Sequence, residues 1–219
     1  TIACGSSIPG TAAFQKRKPA AEWAVYPLHI PIYKGLPFPF IWFMIGNRQF
    51  FVRKWGKRMF LADLHIHSRY SRATSRDCVP EHLEAWARRK GLDVIGTGDF
   101  THPAWRDELR EKLEPAEDGL YTLKDPLRLP CETDGTAARP RFIVTGEISS
   151  IYKKNGRVRK VHNLLLLPGL EQAERLAKRL EEVGNLHSDG RPILGLDSRD
   201  LLEITLETCP GAVFIPAHI

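Results

Sequence analysis

Paired thiols are missing from this sequence. Its four cysteines, Cys4, Cys78, Cys131 and Cys209, are scattered through 219 residues, and no CxxC pair occurs. That spacing excludes a disulfide framework and a thiolate zinc site, and it fits a reducing, cytoplasmic interior better than secretion. Long apolar runs are missing too. The most apolar stretch, LPFPFIWFMIG at residues 36–46, covers eleven residues and contains two prolines. A membrane-spanning helix needs roughly 20 apolar residues, so a membrane is not expected among the partners. Nor is there the compact apolar core and small-residue cleavage site of a signal peptide.

Excess charge of one sign is absent from most of the chain. The overall net charge is +6, yet residues 1–58 alone carry nine Lys/Arg against Glu22, a net of +8. Residues 59–219 carry a net of −2. The basic character therefore says little about the larger part. Pro9, Pro19, Pro27, Pro31, Pro37 and Pro39 interrupt every periodic pattern in the first quarter. Residues 1–58 are therefore expected to be a poorly structured basic leader outside the fold. A basic arm for nucleic acid or anionic lipid, and an extra subdomain, are the alternatives. Residues 59–219 are long enough for one domain with a sizeable core.

From Met59 the punctuation is regular. Residues 60–66 and 92–99 read as strands, as do 141–148, 161–168 and 212–219. Pro80 opens a helix with Leu83, Trp86 and Ala87 on one face and Gly91 as its stop. Residues 105–113, 170–184 and 198–208 are helical in pattern. Asn155-Gly156 signals a two-residue hairpin turn. Strands alternating with helices imply parallel βαβ units and an α/β fold. The last strand ends at Ile219, which leads to the expectation of an N-terminal part of a longer protein.

Histidines and acids stand beside these apolar strands. Asp63, His65 and His67 alternate, so an extended backbone sends all three to one side. Asp99, Glu147, His162 and His218 each lie at or near the end of another strand. Imidazoles and carboxylates gathered at strand ends can hold zinc, manganese or iron. Cations held there lower the pKa of a coordinated water and steady a phosphate oxygen and the leaving group. Each residue also has a plainer reading: Asp99 as a helix cap, Glu147 as a solvated hairpin residue, His162 as an edge histidine. His82 and His187 fit a structural or solvent-facing role, and His102 is ambiguous.

The segments ADLHIHSRYS, GTGDFTHP, TGEISSIY, VHNLLLL and IPAHI together resemble the polymerase and histidinol phosphatase (PHP) superfamily. Within it they are most similar to the endonuclease Q-type branch, sometimes labelled helicase-associated. The resemblance covers about residues 59–219. It implies a distorted (β/α)7 TIM-like barrel of PHP type, here incomplete at the C-terminus. It further implies two or three divalent metals (Zn, Mn or Mg) in the full-length parent. The implied activity is a DNA-repair endonuclease that nicks on the 5′ side of deaminated bases such as uracil and hypoxanthine, or at abasic sites. Carried over residue by residue, His65 and His67 are metal ligands, Glu147 bridges two metals, and His162 and His218 are the later histidine ligands. Asp63 orients a histidine from behind. Asp99 and His102 match the Asp-His motif in part, since Phe100 and Thr101 separate them. Catalysis then rests on His65, His67, Asp99 and Glu147.

Two departures bear on these roles. Arg72 stands where many superfamily members have an acid, which puts a third metal in doubt or builds it from Asp99 and His102. The late Asp-x-His motif and the cysteine-type zinc site have no counterpart, so the expectation is a fragment that is inactive alone. DNA contact is expected from Lys153, Lys154, Arg157, Arg159 and Lys160 around the hairpin, and from Arg69, Arg72 and Arg76 after the histidines. A solvated basic loop is the plainer reading of both groups. A small-molecule phosphoesterase of the histidinol-phosphate type shares the metals without the basic surface. A third reading is a non-catalytic PHP remnant that binds partners in a replication or repair assembly.

Overall fold

The apolar, β-branched and leucine-rich segments of the chain meet in one mixed sheet, seen in a computed structural model. It describes residues 41–45, 48–55, 58–131 and 139–217, with side chains from Phe60 onward. The strands are β1 (Ile41–Ile45), β2 (Arg48–Trp55), β3 (Arg58–Asp63), β4 (Val94–Gly96), β5 (Leu113–Pro115) and β6 (Tyr121–Leu123). They continue with β7 (Arg141–Lys154), β8 (Arg157–Leu167), β9 (Ile193–Leu194) and β10 (Val213–Ala217). Four helices accompany them: α1 (Pro80–Lys90), α2 (Pro103–Lys112), α3 (Leu170–Glu181) and α4 (Ser198–Thr208). His218 and most of the expected leader lie outside the described residues. Within the leader's span, β1 pairs antiparallel with β2, and β2 with β3.

The sheet runs β1-β2-β3-β4-β7-β6-β5, and β7 also pairs with β8 and β9. β3, β4 and β7 are parallel, joined across α1 and α2 as βαβ units. β9 is parallel to β7 as well. The all-parallel pattern expected from the sequence stops there. β8 is antiparallel to β7, and β10 is antiparallel to β8. The described residues thus form a curled half-barrel sheet with four helices. The reason for the antiparallel β8 lies in the turn. Asn155 and Gly156 both take left-handed backbone, φ 53° and 74°, which returns the chain directly and leaves no room for a helical crossover.

The run Asn163-Leu164-Leu165-Leu166-Leu167 sits between two apolar clusters. Leu165 and Leu167 join the larger one, with Phe100, Trp105, Phe142 and the inward side of α3. Leu164 and Leu166 join a smaller one with Ala62, Leu64 and Ile215. Alternation thus buries both faces, which is why Leu164 to Leu167 are continuously apolar. In α3, Leu170, Ala173, Leu176, Ala177 and Leu180 are buried at helical spacing. In α1 the expected inward face needs one correction. Ala87 is buried, but Trp86 is 54% exposed and lies against the Arg89 guanidinium. The buried Glu84–Arg88 pair takes the inner position instead.

Trp105 ties this core to the strand ends. Its ring is fully buried, and its Nε1–H donates to the Gly98 carbonyl at 2.9 Å. Trp105→Ala should lower the unfolding free energy by about 3–5 kcal/mol in urea denaturation, since it opens a large cavity and orphans that carbonyl. A loss below about 1 kcal/mol would contradict this packing.

Candidate metal centre

β3 ends at Asp63, but the extended path continues, with Leu64 and Ser68 buried around the two histidines. The rings of His65 and His67 stand 5.8 Å apart. They face Glu147, which β7 delivers from two strands away, across β4. His65 Nε2 lies 2.8 Å from Glu147 Oε2, and His67 Nε2 lies 3.1 Å from the same oxygen. From the other side, β8 brings His162 Nδ1 to 2.5 Å from Glu147 Oε1. One buried carboxylate therefore stands among three imidazoles from two separate segments. His65, His67 and Glu147 offer ligand atoms that all lie within 4.8 Å of one another.

Asp99 stands behind this group. Its Oδ1 accepts from His67 Nδ1 at 3.0 Å. Its Oδ2 accepts from Ser68 N–H, Ser68 Oγ and Ser71 Oγ at 2.7, 2.6 and 2.9 Å. The carboxylate is fully buried, and both of its oxygens are engaged. A turn in left-handed backbone swings it into place, with Gly98 at φ +66° and Asp99 at φ +49°. A Cβ on Gly98 would meet the Ile66 carbonyl at 2.5 Å. Aspartate tolerates the left-handed region better than most residues, and such strain concentrates at working sites.

The other expected residues fall in several places. Asp63 lines a cavity of about 50 Å³ with Leu83, Trp86 and Lys90, and Asp99 contacts the His67 ring. His102 opens α2; its ring stacks on Tyr70 at 4.3 Å, and its Nε2 lies 3.1 Å from the His187 carbonyl. His218 lies outside the described residues; β10 ends at Ala217, the register partner of His162. Arg69 pairs with Glu108 at 2.9 Å and Arg72 with Asp189 at 3.5 Å. Lys154 pairs with Asp197 at 2.7 Å. The hairpin register sorts the remaining cations. Glu147, Ser149 and Lys153 share one face with His162 and Lys160, whereas Lys154, Arg157 and Arg159 share the other. Lys153 and Lys160 thus lie on the face of Glu147 and His162.

Sequence reasoning missed the segment before β9. Gly190 packs so closely on Asp99 that a Cβ would meet Asp99 Oδ2 at 2.3 Å. Arg191 follows it, with Nη1 3.9 Å from Glu147 Oε2. The only signal was Asp189-Gly190, an ordinary turn pair in a polar loop.

The electrostatics follow from these contacts. Burial works against charge on His67, but its hydrogen bonds to Asp99 and Glu147 prevail and raise its pKa to about 9. Burial also pushes Glu147 upward. The hydrogen bonds from His65 and His67 and the charges of His65 and His162 outweigh it, so the carboxyl stays well below its usual range. His102 is shifted down, because burial exceeds the effect of the His187 carbonyl.

The donor set fits a divalent cation. A carboxylate only accepts, so His67 Nδ1 carries the proton shared with Asp99. His67 Nε2 then faces a second acceptor, Glu147, and needs either a second proton or a cation there. A divalent ion replaces that proton and suits an imidazole–carboxylate set.

No family model matches the chain. An uncharacterized protein of Methanocaldococcus jannaschii is 33% identical over 157 residues, which is 71% of this chain and 16% of that protein. The crystal structure of the lesion-specific endonuclease PfuEndoQ from Pyrococcus furiosus superposes with a TM-score of 0.55 at 32% identity. The match covers 72% of this chain and 34% of that one. A complex of endonuclease Q with a 27-mer duplex carrying an abasic lesion at the active site gives 0.54 at 30% identity, covering 70% and 33%. The described fold is therefore endonuclease Q-like, and the chain spans about a third of those endonucleases and about a sixth of the curated relative.

Without metal, His67 should titrate near pH 9 in an NMR titration, against an ordinary value of 6.5. Because the folded pKa is the higher one, its contribution to stability is complete below about pH 6.5 and fades as pH rises through about 9. Glu147, shifted down, contributes fully throughout that window. Zinc or manganese added at about pH 7.5 should release a proton into a weak buffer. Asp99→Asn should bring the His67 midpoint back down. A midpoint near 6.5 in the unaltered, metal-free chain would contradict the donor arrangement.

Proposed function

We propose that this chain is the metal-binding part of a DNA-repair endonuclease that nicks a phosphodiester bond 5′ of a deaminated base or an abasic site. The observation that carries the reading is the two-sided carboxylate. Glu147 Oε2 faces His65 and His67, while Oε1 faces His162. That arrangement suits a carboxylate shared between two divalent ions. His65 and His67 would hold one, and His162 would hold the other, with His218, which follows Ala217 in sequence, expected beside it. Three or four imidazoles favour zinc or manganese over magnesium. Divalent ions so held supply Lewis acidity to a phosphoryl oxygen and to an attacking water.

The chain's own residues do the rest. Asp99 fixes the tautomer and tilt of His67, so that Nε2 always points into the cluster. Ser68 and Ser71 hold Asp99 in turn. Burial of Glu147 and Asp99 keeps bulk water away from both carboxylates. The β7–β8 hairpin supports a nucleic-acid substrate over a small phosphate ester. It extends from Glu147 to Asn155, about 25 Å at roughly 3.3 Å per residue, farther than a small ester reaches. The abasic-duplex complex of endonuclease Q supports the same choice. Lys153 and Lys160 on the cluster's face are placed to hold flanking phosphates, which positions DNA without reading bases.

In the full-length protein, His65→Ala and His67→Ala should each abolish nicking of a uracil-containing or abasic duplex, with duplex binding retained. Survival of nicking in either variant would refute the metal assignment. Lys153→Ala with Lys160→Ala should weaken binding and flatten the plot of log affinity against log salt by roughly 0.9 per lost phosphate contact. An unchanged slope in mobility-shift titrations would remove the hairpin from the interface.

A further inference from the structure

The loop between α3 and β9 reads as solvated in the sequence, yet it is fastened to the residues that build the metal cluster. Gly190 N–H donates to the Tyr70 carbonyl at 2.9 Å, and Thr101 Oγ1 donates to the Gly190 carbonyl at 3.2 Å. Gly190 itself packs on Asp99 with no room for a Cβ. Arg191 N–H donates to Asp189 Oδ1 at 3.1 Å. Ser149 N–H, two residues past Glu147, donates to the Pro192 carbonyl at 3.0 Å. The backbone on both sides of Arg191 is thus held by the strands and turns that carry Asp99 and Glu147.

We propose that Arg191 is a catalytic residue that binds a non-bridging oxygen of the scissile phosphodiester; this rests on the phosphoesterase reading above. Its guanidinium stands 3.9 Å from Glu147 Oε2, the oxygen that His65 and His67 face at 2.8 and 3.1 Å. Glu147 does not need it as a counter-ion, since His65, His67 and His162 already surround both of its oxygens. Once those oxygens bind cations, the guanidinium is left with donors and little acceptor. Its side chain is 40% exposed, so an incoming anion can reach it. A planar guanidinium matches two phosphate oxygens at once, which an ammonium cannot do. In hydrolysis a water oxygen bonds to phosphorus and gives up a proton to solvent, the bond from phosphorus to the leaving oxygen breaks, and that oxygen takes the electron pair and a proton from solvent. Charge on the non-bridging oxygens is the quantity a rigidly placed guanidinium stabilises.

The test uses the full-length, metal-loaded protein with Arg191→Ala and Arg191→Lys. Single-turnover nicking of an abasic duplex at saturating protein should fall by about 10²–10³-fold in Arg191→Ala. Arg191→Lys should recover part of the rate. Duplex affinity, metal content and melting temperature should stay close to those of the parent. Inorganic phosphate, titrated calorimetrically, should bind at least about tenfold more weakly to Arg191→Ala. A rate within about threefold of the parent, or a rate loss matched by metal loss, would overturn the proposal. Should the parent nick no duplex, the endonuclease reading fails, and phosphate binding still decides Arg191: weaker binding in Arg191→Ala upholds its role, and equal binding ends it.

Discussion

A single carboxylate, Glu147, organises this protein. Placed in the interior without partners, a carboxylate costs several kcal/mol and would take up a proton. Glu147 stays ionised because imidazoles from two further segments converge on it, one pair on Oε2 and one ring on Oε1. No local element could supply them. His65 and His67 leave β3, Glu147 sits in β7, and His162 sits in β8, so the strand order β3-β4-β7 and the β7–β8 hairpin must both form first. The cluster reports on the fold, and the fold positions the cluster.

Around that carboxylate lies a second buried acid with the opposite task. Glu147 presents its oxygens toward the centre; Asp99 turns both of its oxygens away from it, onto Ser68, Ser71 and the far nitrogen of His67. The difference traces to the backbone. Glu147 lies in a regular strand, whereas Asp99 follows Gly98 through a left-handed turn. Gly190 then closes against Asp99, so the turn after β4 and the loop before β9 are held together through a contact that admits no side chain. A side chain at Gly190 would reach His67 through Asp99, and one at Gly98 would press on the His67 backbone itself, 3.1 Å from its Cα.

Much of this was readable beforehand, and the reasons differ by element. Pro80 and Gly91 bracket α1, and Asn155-Gly156 marks the hairpin, because these residues act through backbone restriction that no tertiary contact overrides. The convergence of His65, His67, Glu147 and His162 followed from their placement beside apolar strands. Beyond that hairpin, strand direction was not readable: Leu164 to Leu167 are buried on both faces, and that pattern looks the same in parallel and antiparallel pairing. β5, β6 and β9 have only two or three residues each, too few for a period to show. Trp86 misled because hydrophobicity alone cannot tell the edge of a helix face from its centre.

Charge is distributed in the same local way. Residues 59–219 carry a slight net negative charge, so no broad field draws in a polyanion. Several cations that look available in the sequence are already matched: Arg69 by Glu108, Arg72 by Asp189, Lys154 by Asp197. The alternation of β7 and β8 turns Arg157 and Arg159 to the face away from Glu147. What remains on the cluster's side is a short path from Arg191 to Lys160 and Lys153, exposed cations at increasing distance from one carboxylate. On the proposed reading, a surface built this way would grip weakly in general and strongly in one orientation. That is what a phosphodiester-cleaving site requires, because the rate depends on where the phosphate is held and not on how tightly the rest of the polymer is bound.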